Sequence, residues 1–211
     1  MRWYGFASSD GGVVIGTGIT LAQLPPTFTT REAEECGVSR VRLLRLKRAG
    51  VLVELSRGVY RKADAPETAH VDLLAISRRV QRAVVCLVSA LALHDLTDEV
   101  PVASQFAVPR SGNLPVVRYP PAEFVRFDPA TFELGIETFE VSPGESIPAY
   151  SAARSVVDVM RLRHRVGEGL ALQALRRYVT RPQARVTELV SYGQQLGVEG
   201  PVRNAIEVIL S

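Results

Sequence analysis

The sequence predicts an α+β protein in two parts: a short N-terminal unit of two helices and a hairpin, then a mixed α+β unit with several helices. Three observations carry that reading. Two short helix patterns with capping residues flank Gly37. Two strand patterns follow, split by the turn Ser56-Arg57-Gly58. Beyond residue 100, β-rich segments give way to helical segments that continue to residue 210. With 211 residues and a hydrophobic fraction of 46% the chain can bury a core. That composition excludes a disordered, collagen-like or disulfide-built chain.

Residues 1–27 read as an N-terminal extension, rich in glycine and closed by Pro25-Pro26. Gly16-Thr17-Gly18 lacks the Lys-Ser/Thr of a phosphate loop and the third glycine of a dinucleotide fingerprint. A short strand or an irregular arm is expected there. From Phe28 the signals sharpen. Glu32 stands three residues after Thr29, the spacing of a capping box, and predicts a helix over 30–36. Gly37 suits the left-handed residue at a helix end. Ser39 caps a second helix, which runs to Ala49 and stops at Gly50. Residues 51–55 and 59–62 read as strands of a hairpin. Two helices joined by a tight turn, then a hairpin, make a winged helix-turn-helix over 28–64. Residues 63–66, Ala-Asp-Ala-Pro, read as a linker, and 66–211 as the C-terminal α+β domain.

In that second domain, helices are predicted over 68–80 and over the nearly continuous apolar run 83–96. Strands are predicted over 105–108, 116–119, 124–127 and 136–141. Ser151 caps a helix through Arg163, and further helices are predicted over 167–180, 182–196 and 201–210.

The charge is placed unevenly. The whole chain carries +3, but residues 28–62 hold seven Arg and two Lys against four Glu. Local clustering of positive charge is the electrostatic footprint of a DNA-binding module. On a helical wheel of the second helix, Leu43 and Leu46 face inward, toward Ala33 and the hairpin. Arg40, Val41, Leu44, Arg45 and Arg48 face outward, with Arg42 at the boundary. Arginine forks to the O6 and N7 of guanine, and an apolar side chain suits a thymine methyl. Helix N-terminal residues reach base edges first, which favours Arg40, Val41 and Arg45 as readers, with Leu44 beside them. Arg42 and Arg48 suit phosphates. Thr29, Thr30 and Arg31 stand where the first helix would point its N–H groups outward, a phosphate site. Arg57 at the hairpin tip suits a minor groove or a phosphate. Tyr60 reads as core at the base of the wing.

Other chemistries find little support. Cys36, Cys86, His70, His94 and His164 are scattered, so no metal site is expected, and nothing calls for a cofactor. Residues 63–211 contain no lysine, which removes the usual nuclease cluster, and no nucleophile elbow occurs. The chain reads as a non-enzyme. No apolar run approaches the ~18 residues of a membrane span, Arg2 is the only basic residue near the N-terminus, and a cytoplasmic protein is expected.

The stretch FTTREAEECGVSRVRLLRLKRAGVLVELSRGVYRK resembles the N-terminal winged helix of AbiEi-like antitoxins of abortive-infection, or type IV, toxin–antitoxin systems. VSALALHDLTD resembles the buried helix that begins the family's second domain. IPAYSAARSVVDVMRLRHRVGEGLALQALRRYV resembles its later arginine-aspartate helix, here marked by Arg154, Asp158 and Arg161. The resemblance implies an autorepressor that binds inverted repeats in double-stranded operator DNA. It also implies a C-terminal domain that neutralises a nucleotidyltransferase-like toxin, and no known enzymatic activity. By position, the DNA-contact role carries over to Thr30, Ser39, Arg40, Val41, Arg42, Arg45, Arg48 and Arg57. Two copies would act on the repeats, as a homodimer or as two monomers. The weak first helix, with only Thr20–Leu24 as a fragment, departs from the usual three-helix core.

Arg154 and Asp158 are spaced to pair on one helix face. Together with Arg154, residues Arg161, Arg163 and Arg165 form a candidate second basic patch, for flanking phosphates or an acidic partner. A solvated helix end remains the alternative there. Two other readings of the whole chain stay open: a winged-helix protein-interaction module, and a small-molecule-responsive repressor without a toxin partner.

Overall fold

The computed structural model describes residues 21–111 and 113–210. Most of the N-terminal extension, with Gly16-Thr17-Gly18, lies outside the described residues.

The first unit opens with a 3-10 turn, Leu21–Gln23, and a strand β1, Thr27–Thr29. Helices α1, Thr30–Glu35, and α2, Arg40–Arg48, follow. Strands β2, Leu52–Ser56, and β3, Val59–Lys62, close the unit. The sheet order is β1-β3-β2, all antiparallel, with a bulge between Glu54 and Ser56. This is the element order of a winged helix-turn-helix. Among the described residues, the 3-10 turn and β1 precede α1, and β1 takes the outer edge beside β3. Leu24, Phe28, Ala33, Val38, Leu43 and Leu52 form its apolar cluster, with Leu46 and Tyr60 packed on it. Tyr60 stacks on Phe28 as wing-base core.

A second sheet has the order β6-β5-β4-β8-β7. Its strands are β4, Val84–Val85; β5, Ser104–Pro109; β6, Ala122–Phe127; β7, Ile136–Ser142; and β8, Glu145–Tyr150. β4 runs parallel to β8, β5 parallel to β6, and the other two pairings are antiparallel. Successive side chains in a strand point to opposite faces, and both faces are covered. Phe106, Val108, Val141 and Ile147 pack with Leu73, Leu74 and Ile76 of α3, Val71–Arg79. Ala107, Val125 and Phe127 pack instead with the helical layer. That layer comprises α4, Leu87–Leu93; α5, Pro129–Phe132; α6, Ala152–Arg161; α7, Arg163–Val166; α8, Glu168–Val179; α9, Val186–Gln195; and α10, Glu199–Leu210.

Three sequence expectations need correction. The apolar run 83–96 is not one helix. It starts as strand β4 and turns into α4 at Cys86, where Leu87 takes a positive φ of 48°. A short continuous apolar run suits a doubly buried strand as well as a buried helix. Residues 116–119 form no strand, being enclosed between Pro115 and Pro120, and Val116 and Tyr119 lie exposed. Strand β8 and the edge strand β1 were absent from the sequence reading.

Helix α6 is the centre of the helical layer, and Arg154 on it is fully buried. Its Nε donates to Asp158 Oδ2 at 2.8 Å, and its Nη1 to the carbonyls of Thr131 and Leu134 at 2.9 and 2.8 Å. The guanidinium lies 4.6 Å from the Tyr150 ring centroid. Asp158 Oδ1 accepts from Arg161 Nη2 at 2.8 Å. Burial pushes the Asp158 carboxyl up, and the two arginines oppose that rise. Gly135 fits at φ +73°, where a Cβ would stand 3.0 Å from Arg154 Cβ and 3.1 Å from the Tyr192 hydroxyl. Asp158→Ala strands a buried guanidinium and is expected to cost about 3–5 kcal/mol in urea unfolding. A loss under about 1 kcal/mol would mean that the two carbonyls and the rings alone satisfy Arg154.

Candidate nucleic-acid interface

The helix-turn-helix is fixed by local hydrogen bonds that the sequence spacing foretells. Thr29 N donates to Glu32 Oε2 at 2.6 Å, and Glu32 N returns a bond to Thr29 Oγ1 at 3.2 Å. Ser39 Oγ accepts from Arg42 N at 3.3 Å. Val38 N reaches the Ala33 carbonyl at 2.8 Å and closes the turn at Gly37, whose φ is +76°. The wing docks on the start of α1. Thr30 donates from both its amide and its hydroxyl to the Gly58 carbonyl, at 2.8 and 3.3 Å. Gly58 has φ +76°, and a Cβ there would press on Thr30 Oγ1 at 3.1 Å.

This geometry corrects the phosphate role expected at the start of α1. The Thr29 hydroxyl is held by Glu32, and the Thr30 amide and hydroxyl by the wing. Both threonines position the motif and offer a phosphate no free amide donor of their own. Arg31 is exposed and pairs with Glu35 across one helical turn at 2.8 Å. An exposed pair of this kind contributes little and is readily exchanged for another anion.

On α2, Leu43 is buried while Val41 is 62% and Leu44 47% exposed. Arg45 and Arg48 are exposed and carry no ion pair among the described residues. Arg40 pairs with Glu34 at 2.8 Å, both exposed. Arg42 is half-buried, and its Nε has no hydrogen-bond partner. Lys47 pairs with Glu54 of the wing at 2.5 Å, and Glu54 Oε1 accepts from Gly58 N at 3.1 Å. Burial alone would raise the Glu54 carboxyl, but the bonds from Lys47 and Gly58 hold it below the usual carboxylate range. That pair stiffens the link between α2 and the wing.

Arg57 is exposed at the wing tip, and a further set of arginines continues from it that the sequence reading missed. Arg57, Arg79 and Arg118 line one groove of about 550 Å³, with Tyr119 and Val116 on its wall. Arg31, Arg78, Arg82 and Arg126 line a neighbouring groove of about 500 Å³. Arg79 Nη1 donates to the Arg57 carbonyl at 2.5 Å, which ties the end of α3 to the wing tip. The signal in the sequence was the cluster Arg78-Arg79 with Arg82. Basic residues at a helix end read most simply as partners of its dipole.

Of the four residues expected to form a second patch, Arg154 lies apart from the other three. Arg154 is core. Arg161 is held by Asp158, with its guanidinium 5.1 Å from the Phe127 ring centroid. Arg163 donates to the Met160 carbonyl at 3.0 Å and stands 4.0 Å from Glu168. Arg165 pairs with Glu123. These cations are drawn into intramolecular bonds because α6, β6 and α8 bring carboxylates and a ring to them.

Among the described residues, no group of three or more His, Cys, Asp or Glu stands together to hold a metal ion. Burial pushes the Cys86 thiol well up, away from the thiolate form a nucleophile needs. No helix among the described residues is long and apolar enough to cross a membrane.

No curated protein matches the chain. The solved structure of the RV2827C protein from Mycobacterium tuberculosis is similar over 87% of this chain and 76% of that one, at 14% identity and a TM-score of 0.43. Residues 19–61 match the family model described as "Transcriptional regulator, AbiEi antitoxin". The winged unit, from the 3-10 turn to the end of the hairpin, is thus similar to the transcriptional regulators of the AbiEi antitoxin family.

Proposed function

We propose that the chain is a DNA-binding autorepressor and antitoxin. Two copies bind inverted repeats upstream of the chain's own operon through the winged helix-turn-helix, as a dimer or as two monomers. The part that follows residue 66 counteracts a nucleotidyltransferase-like toxin. The observation that carries the DNA reading is the solvent face of α2. There Arg45 and Arg48 have no acidic partner among the described residues, and Val41 and Leu44 stand open to solvent beside them. Cations held free next to apolar side chains suit a major groove, with a guanine edge for Arg45 and thymine methyls for Val41 and Leu44. Arg40 joins them by releasing Glu34. Arg42, Arg48 and Arg57 hold phosphates, and Arg79, Arg82 and Arg118 extend that contact past the wing tip. The similarity of residues 19–61 to an antitoxin regulator family supports the same reading.

Fluorescence anisotropy with the DNA upstream of the gene, against a scrambled duplex, tests it. Preference for the upstream DNA of ~10³-fold or more is expected; weak and equal binding to both would leave a protein-contact module. Arg45→Ala is expected to weaken operator binding by ~1–3 kcal/mol if it forks to a base. Unchanged affinity removes Arg45 from the readers. Arg57→Ala is expected to weaken operator and scrambled DNA alike and to flatten the salt slope by about one unit. A loss confined to the operator would make Arg57 a base reader. Co-expression with an adjacent nucleotidyltransferase-like gene product should restore growth, and continued arrest would refute the antitoxin half.

A further inference from the structure

We propose that the buried Arg61–Glu145 pair is a positioning joint. It fixes the winged unit against the five-stranded sheet, so that α2 and the arginines beside the wing meet one duplex together. The last clause rests on the DNA reading above; the joint itself does not.

Arg61 lies on β3, the central strand of the wing sheet, and is 7% exposed. One guanidinium reaches four elements. Nη1 donates to Glu145 Oε2 at the start of β8 and to Thr27 Oγ1 on β1. Nη2 donates to the Pro66 carbonyl in the linker and to Ser142 Oγ at the end of β7. Glu145 is fully buried, and its Oε1 has no partner. A buried charge pair with an unsatisfied oxygen is a poor source of stability; a well-packed apolar pair holds two surfaces at least as firmly. What the pair supplies is direction, because a planar guanidinium with several fixed acceptors tolerates one orientation.

The other named bonds across this seam are polar too. Ser56 Oγ donates to the Tyr119 carbonyl at 2.7 Å, and Arg79 to the Arg57 carbonyl. The apolar cluster of the winged unit draws on no residue after Tyr60. Arg79, Arg82 and Arg118 belong to the far side of the seam, and α2 to the near side. The angle at Arg61 therefore decides whether the two sets of arginines can lie along one phosphate backbone.

The test uses the full chain with spin labels at Ala49→Cys, the cap at the end of α2, and Glu207→Cys on α10, in a Cys36→Ser background; Cys86 is buried. The control carries the native pair. The variant carries Arg61→Met with Glu145→Leu, which removes both charges at similar volume; if it fails to fold, Glu145→Gln takes its place. The expected result is one narrow label distance in the control and a broad distribution in the variant, with cooperative thermal unfolding kept in both. An equally narrow distribution in a folded variant overturns the joint. On DNA, the variant should lose about three units of salt slope, the share of the three phosphate contacts at Arg79, Arg82 and Arg118. Arg118→Ala should then add nothing to it. A full Arg118→Ala effect in the variant overturns the shared-duplex clause. A control that binds no duplex refutes the DNA reading and that clause together, while the label distances still decide the joint.

Discussion

The burial of Arg154 is the constraint around which the helical layer is arranged. A charged guanidinium removed from water must find its hydrogen bonds inside. Nε finds Asp158 one turn along its own helix and Nη1 the Thr131 and Leu134 carbonyls at the end of α5, while Nη2 has no hydrogen-bond partner and the guanidinium lies on the face of Tyr150. Each partner comes from a different stretch of chain. The requirement therefore fixes α6 against the α5–β7 connection and against the end of β8 at once. Gly135 lets that connection pass close by, and Tyr150 anchors itself there through a bond from its hydroxyl to the Phe132 carbonyl at 2.8 Å. The apolar positions Val156, Val157 and Met160 then direct α6 into the main cluster with α4, α8 and α9.

The parts of this structure that were legible in the sequence are the parts whose causes are local. The capping box at Thr29 and Glu32, the cap at Ser39, and the glycines at 37 and 58 act within a few residues, and the helix-turn-helix and hairpin could be read from them. Strand β1 could not, because Phe28 pairs with Tyr60, far along the chain. Its residues Thr27–Thr29 run straight into the cap of α1 and look like the start of a helix. The split of 83–96 into β4 and α4 has no proline or glycine to announce it. It depends on Val85 being drawn between Phe106 and Ala149 of the neighbouring strands.

The candidate site divides along the same line. The outward face of α2 followed from helix periodicity alone. The threonines at the start of α1 were misjudged because the sequence does not say that the wing turn folds back to take the Thr30 amide. Arg154 was paired correctly with Asp158 by spacing, yet its burial depends on carbonyls about 20 residues upstream. The arginines beside the wing were missed for the opposite reason. Arg57, Arg79 and Arg118 are distant in sequence and meet only because the end of α3 and the 113–119 loop both lie against the hairpin.

The separateness of the wing's apolar cluster bears on how the molecule comes apart. Proteins open in cooperative blocks that follow their packed cores. The winged unit has its own small cluster, while the sheet and helices behind it share two larger ones. Amide protons of β1 to β3 should therefore exchange as one block, through openings that leave α6 and its neighbours intact. The winged unit is then the least costly part of the chain to unfold and refold, and the buried arginine core is the last to yield.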